Sequence, residues 1–266
     1  NKFASSYISR CLCLVSTVAV YRNSVLLYSI QKKIKVLIRM IKAENISKSY
    51  GSKSVLNNLN LRLERGKVYG IVGENGAGKT TLFKCLAGLE SFDGEIQSEL
   101  QPLKNYLGLL PTNPIFMSKI TGWEYLKLLS VSRNIKEEQF EEKNIFELDL
   151  NQFVETYSTV MKKKLALLGV LLQNNEVFVL DEPFNGVDIE SNEKLLQLLI
   201  RLKSTNKIII IASHIIESVT RICDRINLLE NGIIKTTFEK TEFPILEKEL
   251  KDSIKLKIDD VLEGLV

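Results

Sequence analysis

Disulfides, zinc sites and membrane spans are the first things this chain lacks. Its 266 residues hold four cysteines, Cys11, Cys13, Cys85 and Cys223, which form neither a CxxC pair nor a zinc-binding spacing. A chain of this length buries a sizeable core without a disulfide framework, so a reducing compartment is the simplest reading. Cys85 and Cys223 fall in helix-like apolar stretches and read as small packing residues, not reactive thiols. No apolar run reaches the 18 or so residues of a membrane-spanning helix. Internal repeats and low-complexity linkers are missing too. With 45% hydrophobic and 26% charged residues, the composition is that of a soluble globular protein.

Acidic residues are missing from the first 39 positions, where Lys2, Arg10, Arg22, Lys32, Lys33, Lys35 and Arg39 give +7. The net charge of the whole chain is +4, which leaves residues 40–266 at −3. That mildly acidic remainder offers no clustered basic face, so nucleic acid is not an expected partner. Methionine is also missing before Met40, after which regular patterning begins. Residues 1–39 are expected to be a leader read through from upstream, with Met40 as the start. A targeting segment is the alternative, although Arg22 and Asn23 interrupt its apolar stretch and no small-residue cleavage site is clear.

What the chain does have begins with GENGAGKTT, comprising Gly73, Glu74, Asn75, Gly76, Ala77, Gly78, Lys79, Thr80 and Thr81. It follows the apolar run Val68 to Val72 and opens a helical pattern over about Thr80 to Leu89, the context a P-loop requires. Glycines allow sharp turns and bring bare N–H groups against phosphate oxygens. Lys79 can reach the β- and γ-phosphates, and the Thr80 hydroxyl can ligate Mg²⁺. The helix directs its positive end at the anion. The expected ligand is a nucleoside triphosphate.

A second phosphate-site motif lies in VFVLDEP, Val177 to Pro183. Asp181 ends a buried run, where α/β sheets place their chemistry, and can hold Mg²⁺; Glu182 beside it can polarise an attacking water. The only histidine, His214, closes the next apolar run, IIIIASH.

The short continuous runs Val68–Val72, Val177–Leu180 and Ile208–Ala212 read as strands buried on both faces. Ile41–Ile46 and Leu56–Leu63 alternate instead, as antiparallel strands joined by a turn near Tyr50 to Lys53. Ile226–Leu229 and Ile233–Thr237 should close a hairpin around Glu230, Asn231 and Gly232. The expected fold is an α/β P-loop core with a mainly parallel sheet, an antiparallel β edge and an inserted helical subdomain over about residues 114–172. That insert opens with the capping box Thr121 to Glu124. It continues through helices in KEEQFEEKNIFEL and MKKKLALLGVLL, with Trp123 as a packing anchor.

In order, GENGAGKTT, VFVLDEP, FNGVD and IIIIASH resemble the ATP-binding cassette family over essentially Met40 to Lys235. The resemblance implies that residues 40–236 are the cassette and 237–266 a short helical tail. It further implies ATP and Mg²⁺ as cofactors, a transmembrane permease and a second cassette as partners, and a peripheral place on the cytoplasmic face of a membrane. By position, Tyr50 would stack on adenine, Asp181 would hold magnesium, Glu182 would be the catalytic glutamate, Asp188 a dimer contact and His214 the sensor of the γ-phosphate. Two positions depart from the family pattern. YSTVM, Tyr157 to Met161, stands where the signature reads Leu-Ser-Gly-Gly-Gln or Tyr-Ser-x-Gly-Met, so Ser158 is kept and Val160 replaces a glycine. Thr112 stands where a glutamine or glutamate usually helps order a magnesium-bound water. Reduced turnover is expected, and a weakly catalytic regulatory subunit is the second reading. Coupling to the permease would run through residues near Asn113 to Ile120, with Phe116 and Met117 either exposed to a partner or packed in the core.

Overall fold

A computed structural model describes residues 40–136, 139–214 and 216–250. The leader, Cys11 and Cys13, and the end of the tail lie outside these.

Two sheets organise the described chain. The smaller holds β1 (Met40–Tyr50), β2 (Lys53–Glu64) and β4 (Asp93–Gln97) in the order β2-β1-β4. The larger holds β3 (Val68–Val72), β5 (Leu107–Leu110), β6 (Val177–Asp181), β7 (Ile208–Ala212), β8 (Arg225–Glu230) and β9 (Ile233–Glu239) in the order β5-β6-β7-β3-β8-β9. Neighbours in it are parallel up to β8, and only the β8–β9 hairpin is antiparallel. The alternating pair β1 and β2 is therefore not an edge of the main sheet but belongs to a sheet of its own, and the antiparallel edge is β9.

Every residue of β3, β6 and β7 is buried, as continuous apolar runs require when both faces are covered. Tyr69, Ile71, Val177, Val179, Ile208 and Ile210 face a core shared with β1, β2 and helix α1 (Lys79–Leu86). Val68, Phe178, Leu180, Ile209 and Ile211 face the opposite core, against α3 (Thr159–Leu172), α4 (Ile189–Ser204) and α5 (Ile216–Ile222). Cys85 and Cys223 are buried and free, and burial pushes the Cys85 thiol up to about 11, so both are packing residues.

In the helical subdomain, α2 (Gly122–Ser132) starts at the expected capping box. The Glu124 N–H donates to Thr121 Oγ1 at 3.2 Å and the Thr121 N–H donates to Glu124 Oε2 at 2.8 Å. Trp123 packs edge-on against the buried Phe140, with ring centroids 5.7 Å apart. The helix expected in KEEQFEEKNIFEL is reduced, among its described residues, to one 3₁₀ turn, Glu141–Lys143. Asn144 explains the interruption: its side chain accepts from the Leu148 N–H and donates to the Leu148 carbonyl, a local alternative to helical bonding. Glu147 then turns through a φ of 54°. In the tail, residues 243–250 are helical. Among the described residues no helix is long and apolar enough to cross a membrane.

Candidate functional site

The functional side chains gather at the carboxyl ends of β3, β6 and β7, where parallel sheets present their ligand crevices. The loop leaving β3 passes against the β8–β9 hairpin. A Cβ built on Gly73 would lie 2.2 Å from the Leu229 carbonyl oxygen, so no other residue fits this approach. The Gly232 N–H donates to the Ala77 carbonyl at 3.2 Å and completes the buttress. Gly78 caps α1 at a φ of 111°, left-handed backbone that a side chain would strain. It brings no side-chain cap, and the first N–H groups of α1 remain available to an anion.

Lys79 is buried, and its ammonium donates to the carbonyls of Gly73 at 2.7 Å and Glu74 at 3.0 Å, folding the loop into a closed ring. Burial pulls its pKa below the ordinary lysine value, while the carboxylates of Glu182 and Asp181 push it back up. Thr80 Oγ1 donates to Asp181 Oδ2 at 2.7 Å, joining two motifs 101 residues apart. This hydroxyl and carboxylate form a hard-oxygen pair that suits Mg²⁺, which commonly takes one or two carboxylates and completes its shell with phosphates and water. Among the described residues no cluster of three or more His, Cys, Asp or Glu could hold a metal alone. The donor set therefore fits magnesium arriving with a triphosphate.

Glu182 is buried and follows β6 in a left-handed conformation with a φ of 53°. Its N–H extends the β6–β7 ladder by donating to the Ala212 carbonyl at 2.9 Å. Its carboxylate faces His214, whose Nδ1 lies 2.9 Å from Glu182 Oε2. The imidazole is more than half exposed, with Nε2 left for a further partner. Lys79, Thr80, Asp181, Glu182 and His214 thus lie at one end of the sheet.

Thr112 follows β5 by two residues and, since β5 runs parallel to β6, emerges at the same sheet end as Asp181. Tyr50 is 44% exposed at the end of β1, with Lys48 Nζ 5.1 Å above its ring. Ser158 is the N-cap of α3, accepting from the Met161 N–H at 3.2 Å, and Val160 is half-buried in the helix's first turn. Asp188 caps α4 through the Ser191 N–H at 2.9 Å and pairs with Lys164 at 2.6 Å; the lysine, then Ser191, hold its carboxyl well below the usual range. Phe116 is not exposed: it is half-buried and stacks edge-on with Tyr125 at 4.8 Å. The exposed large apolar residues of that segment are Ile115 and Met117, at 92% and 64%.

Two groups in contact with the site are invisible to motif reading. One is the buttress of Leu229 and Gly232. The other is Lys163, which is buried with its ammonium on the Glu182 and Asn185 carbonyls. In MKKKL a lysine reads as solvated charge, and only the helical phase of α3 could have turned this one inward.

The sequence profile described as ABC transporter matches residues 56–185. The lantibiotic transport ATP-binding protein SrtF of Streptococcus pyogenes is 30% identical over 229 residues, 82% of this chain and 94% of that protein. The bacitracin transport ATP-binding protein BcrA of Enterococcus faecalis is 31% identical over 206 residues, 73% and 67% of the two chains. Among solved structures, an ATP-binding subunit of an ABC transporter superposes with a TM-score of 0.70 at 25% identity, covering 75% of this chain and 90% of the other. A post-hydrolysis dimer of an ATP-binding cassette bound to ADP and Pi gives 0.68 at 20% identity, covering 75% and 98%, a likeness of fold. With the P-loop, its neighbouring carboxylates and the histidine already in place, the chain belongs to the ABC transporter family as an ATP-binding subunit.

Proposed function

We propose that this chain binds Mg–ATP between its own P-loop and the signature helix of a second cassette, and that the closing and reopening of the pair drives a separate transmembrane permease. The observation that carries the reading is the 2.7 Å contact of Thr80 with Asp181, with Glu182 and His214 paired beside it.

In this reading Gly73 to Thr81 cradle the phosphates and Tyr50 covers the adenine. Lys79 exchanges its two loop carbonyls for phosphate oxygens. Thr80 and Asp181 would hold magnesium, with Thr112 near enough by position to help order its water. When bound, the metal neutralises charge developing on the phosphates. Glu182 takes a proton from the attacking water, and His214, tethered to it through Nδ1, stands beside the γ-phosphate. Residues 40–236 act as the cassette and 114–172 as its helical subdomain. Exposed Ile115 and Met117 would suit an apolar helix of the permease, with the chain peripheral on the cytoplasmic face of the membrane.

Ser158 and Val160 would meet the partner's nucleotide. A β-branched side chain at Val160 stands where the family places glycine for close backbone approach. In a homodimer both sites carry it; in a heterodimer this chain's P-loop and Glu182 can meet a partner signature that has the glycine. In a self-associated preparation, Val160→Gly should therefore raise ATP turnover. Recovering one backbone hydrogen bond worth about 1 kcal/mol corresponds to roughly fivefold, and an unchanged rate would reject the steric account.

A regulatory subunit with little hydrolysis of its own is the second reading, favoured by Val160 and Thr112. Steady-state ATPase of the complex purified with its membrane partner distinguishes the two. Glu182→Gln should abolish most of that activity, whereas a purely regulatory chain would leave it intact.

A further inference from the structure

Three successive lysines on α3 do three different things. Lys162 donates to the Glu155 carbonyl at 3.3 Å, within the subdomain. Lys164 pairs with Asp188. Lys163 points inward, is only 7% exposed, and places its ammonium between the main-chain carbonyls of Glu182 and Asn185, the latter at 2.9 Å. A buried ammonium is costly unless hydrogen-bonded, and its acceptors here are the backbone of the residue read above as the general base. Burial lowers its pKa, and the charges of Glu182 and Asp181 oppose that.

Glu182 is held from both sides. Its N–H is fixed by Ala212 of β7, and its carbonyl receives the Lys163 ammonium together with the Asn185 N–H at 3.3 Å. Between those two anchors the residue keeps a φ of 53°, a region that non-glycine residues rarely occupy and that needs support from its surroundings. We propose that Lys163 is a positioning residue for ATP hydrolysis: by gripping the Glu182 carbonyl it holds the backbone that aims the carboxylate at His214, and it ties that backbone to the helix beginning at Ser158. Lys163 lies three residues beyond Val160, one helical turn away. A shift of the α3 N-terminus on meeting the partner's nucleotide is thereby delivered to this chain's own Glu182. The inference rests on the reading of Glu182 as the base.

The test is steady-state ATPase of the full chain in the complex with its membrane partner, resolved into kcat and KM for ATP, for Lys163→Met, Lys163→Arg and Glu182→Gln. Methionine preserves the apolar stem and removes the donor, so kcat should fall on the order of 10- to 100-fold, the scale of a small misplacement of a catalytic group. KM should stay put because the P-loop is untouched. Arginine keeps a cationic donor and should restore most of kcat. If Lys163→Met loses its melting transition, Lys163→Leu, also without a donor and shorter, takes its place with the same expected split. A normal kcat in the donor-free variant while Glu182→Gln is inactive overturns the role of Lys163 alone. Equal loss of kcat, KM and melting temperature in all Lys163 variants overturns it too, as mere packing. Normal activity in Glu182→Gln overturns instead the reading of Glu182.

Discussion

Glu182→Gln should cut single-turnover hydrolysis of bound ATP by about 10²- to 10⁴-fold, the range of a positioned general base, while nucleotide affinity stays within a factor of a few. The geometry separates the two quantities. The carboxylate lies at the mouth of β6, with Oε2 2.9 Å from His214 Nδ1. Glutamine keeps the size and an acceptor oxygen for the His214 Nδ1–H, so the site should stay folded around it. What it loses is the capacity to take a proton from water. The loss corresponds to about 3 to 5 kcal/mol of barrier, and rapid-quench measurement of ADP formation beside fluorescent-nucleotide titration checks both halves.

Lys79→Met should act on binding instead. The ammonium is the one cation that the P-loop itself contributes, and in the structure it already neutralises the loop's inward carbonyls at 2.7 and 3.0 Å. Exchanging those carbonyls for phosphate oxygens trades dipolar acceptors for charged ones. Removing a hydrogen bond to a charged group costs about 1.5 to 3 kcal/mol, which predicts affinity for Mg–ATP lowered by roughly 10- to 150-fold. The melting temperature of the nucleotide-free protein should move little, since methionine fills the same buried path. Calorimetric titration with ATP checks the first statement and a thermal melt the second.

The parts of this site that the sequence reveals are those fixed by local spacing. A P-loop needs a strand, a glycine-rich turn and a helix in succession, and Val68–Val72 and Gly73–Thr81 supply them without reference to the rest of the fold. The buried strands β3 and β7 are legible to the residue because both faces are covered and no polar position interrupts them. Legibility fails where a distant partner decides the structure. β4 is DGEIQ, mostly exposed, and is a strand because β1 pairs with it. In β5, Gly108 looks like a breaker, yet a Cβ there would lie 2.1 Å from the Asn175 side-chain nitrogen, so the glycine makes room for a neighbour far along the chain. The acidic stretch 136–148 has helical composition, but Asn144 and the burial of Phe140 override it. Lys163 is the case that matters most for chemistry. Its neighbours in sequence suggest solvent, and its acceptors, 19 and 22 residues on, give it its use.

The departures from the family's signature fit the same picture. Ser158 and the helix it caps are kept, and on the proposed reading the substitution at Val160 would change how closely a partner's phosphate can approach. On the proposed reading, this chain's half of the site supplies Lys79, Asp181 and Glu182, and its activity would depend on which α3 N-terminus faces it.

Sedimentation velocity of Glu182→Gln with saturating Mg–ATP, alone and combined with Val160→Gly, tests that dependence most directly. The account predicts an ATP-dependent dimer, firmer in the combined variant and dissociating when nucleotide is removed. Monomer in both variants at saturating Mg–ATP would contradict it.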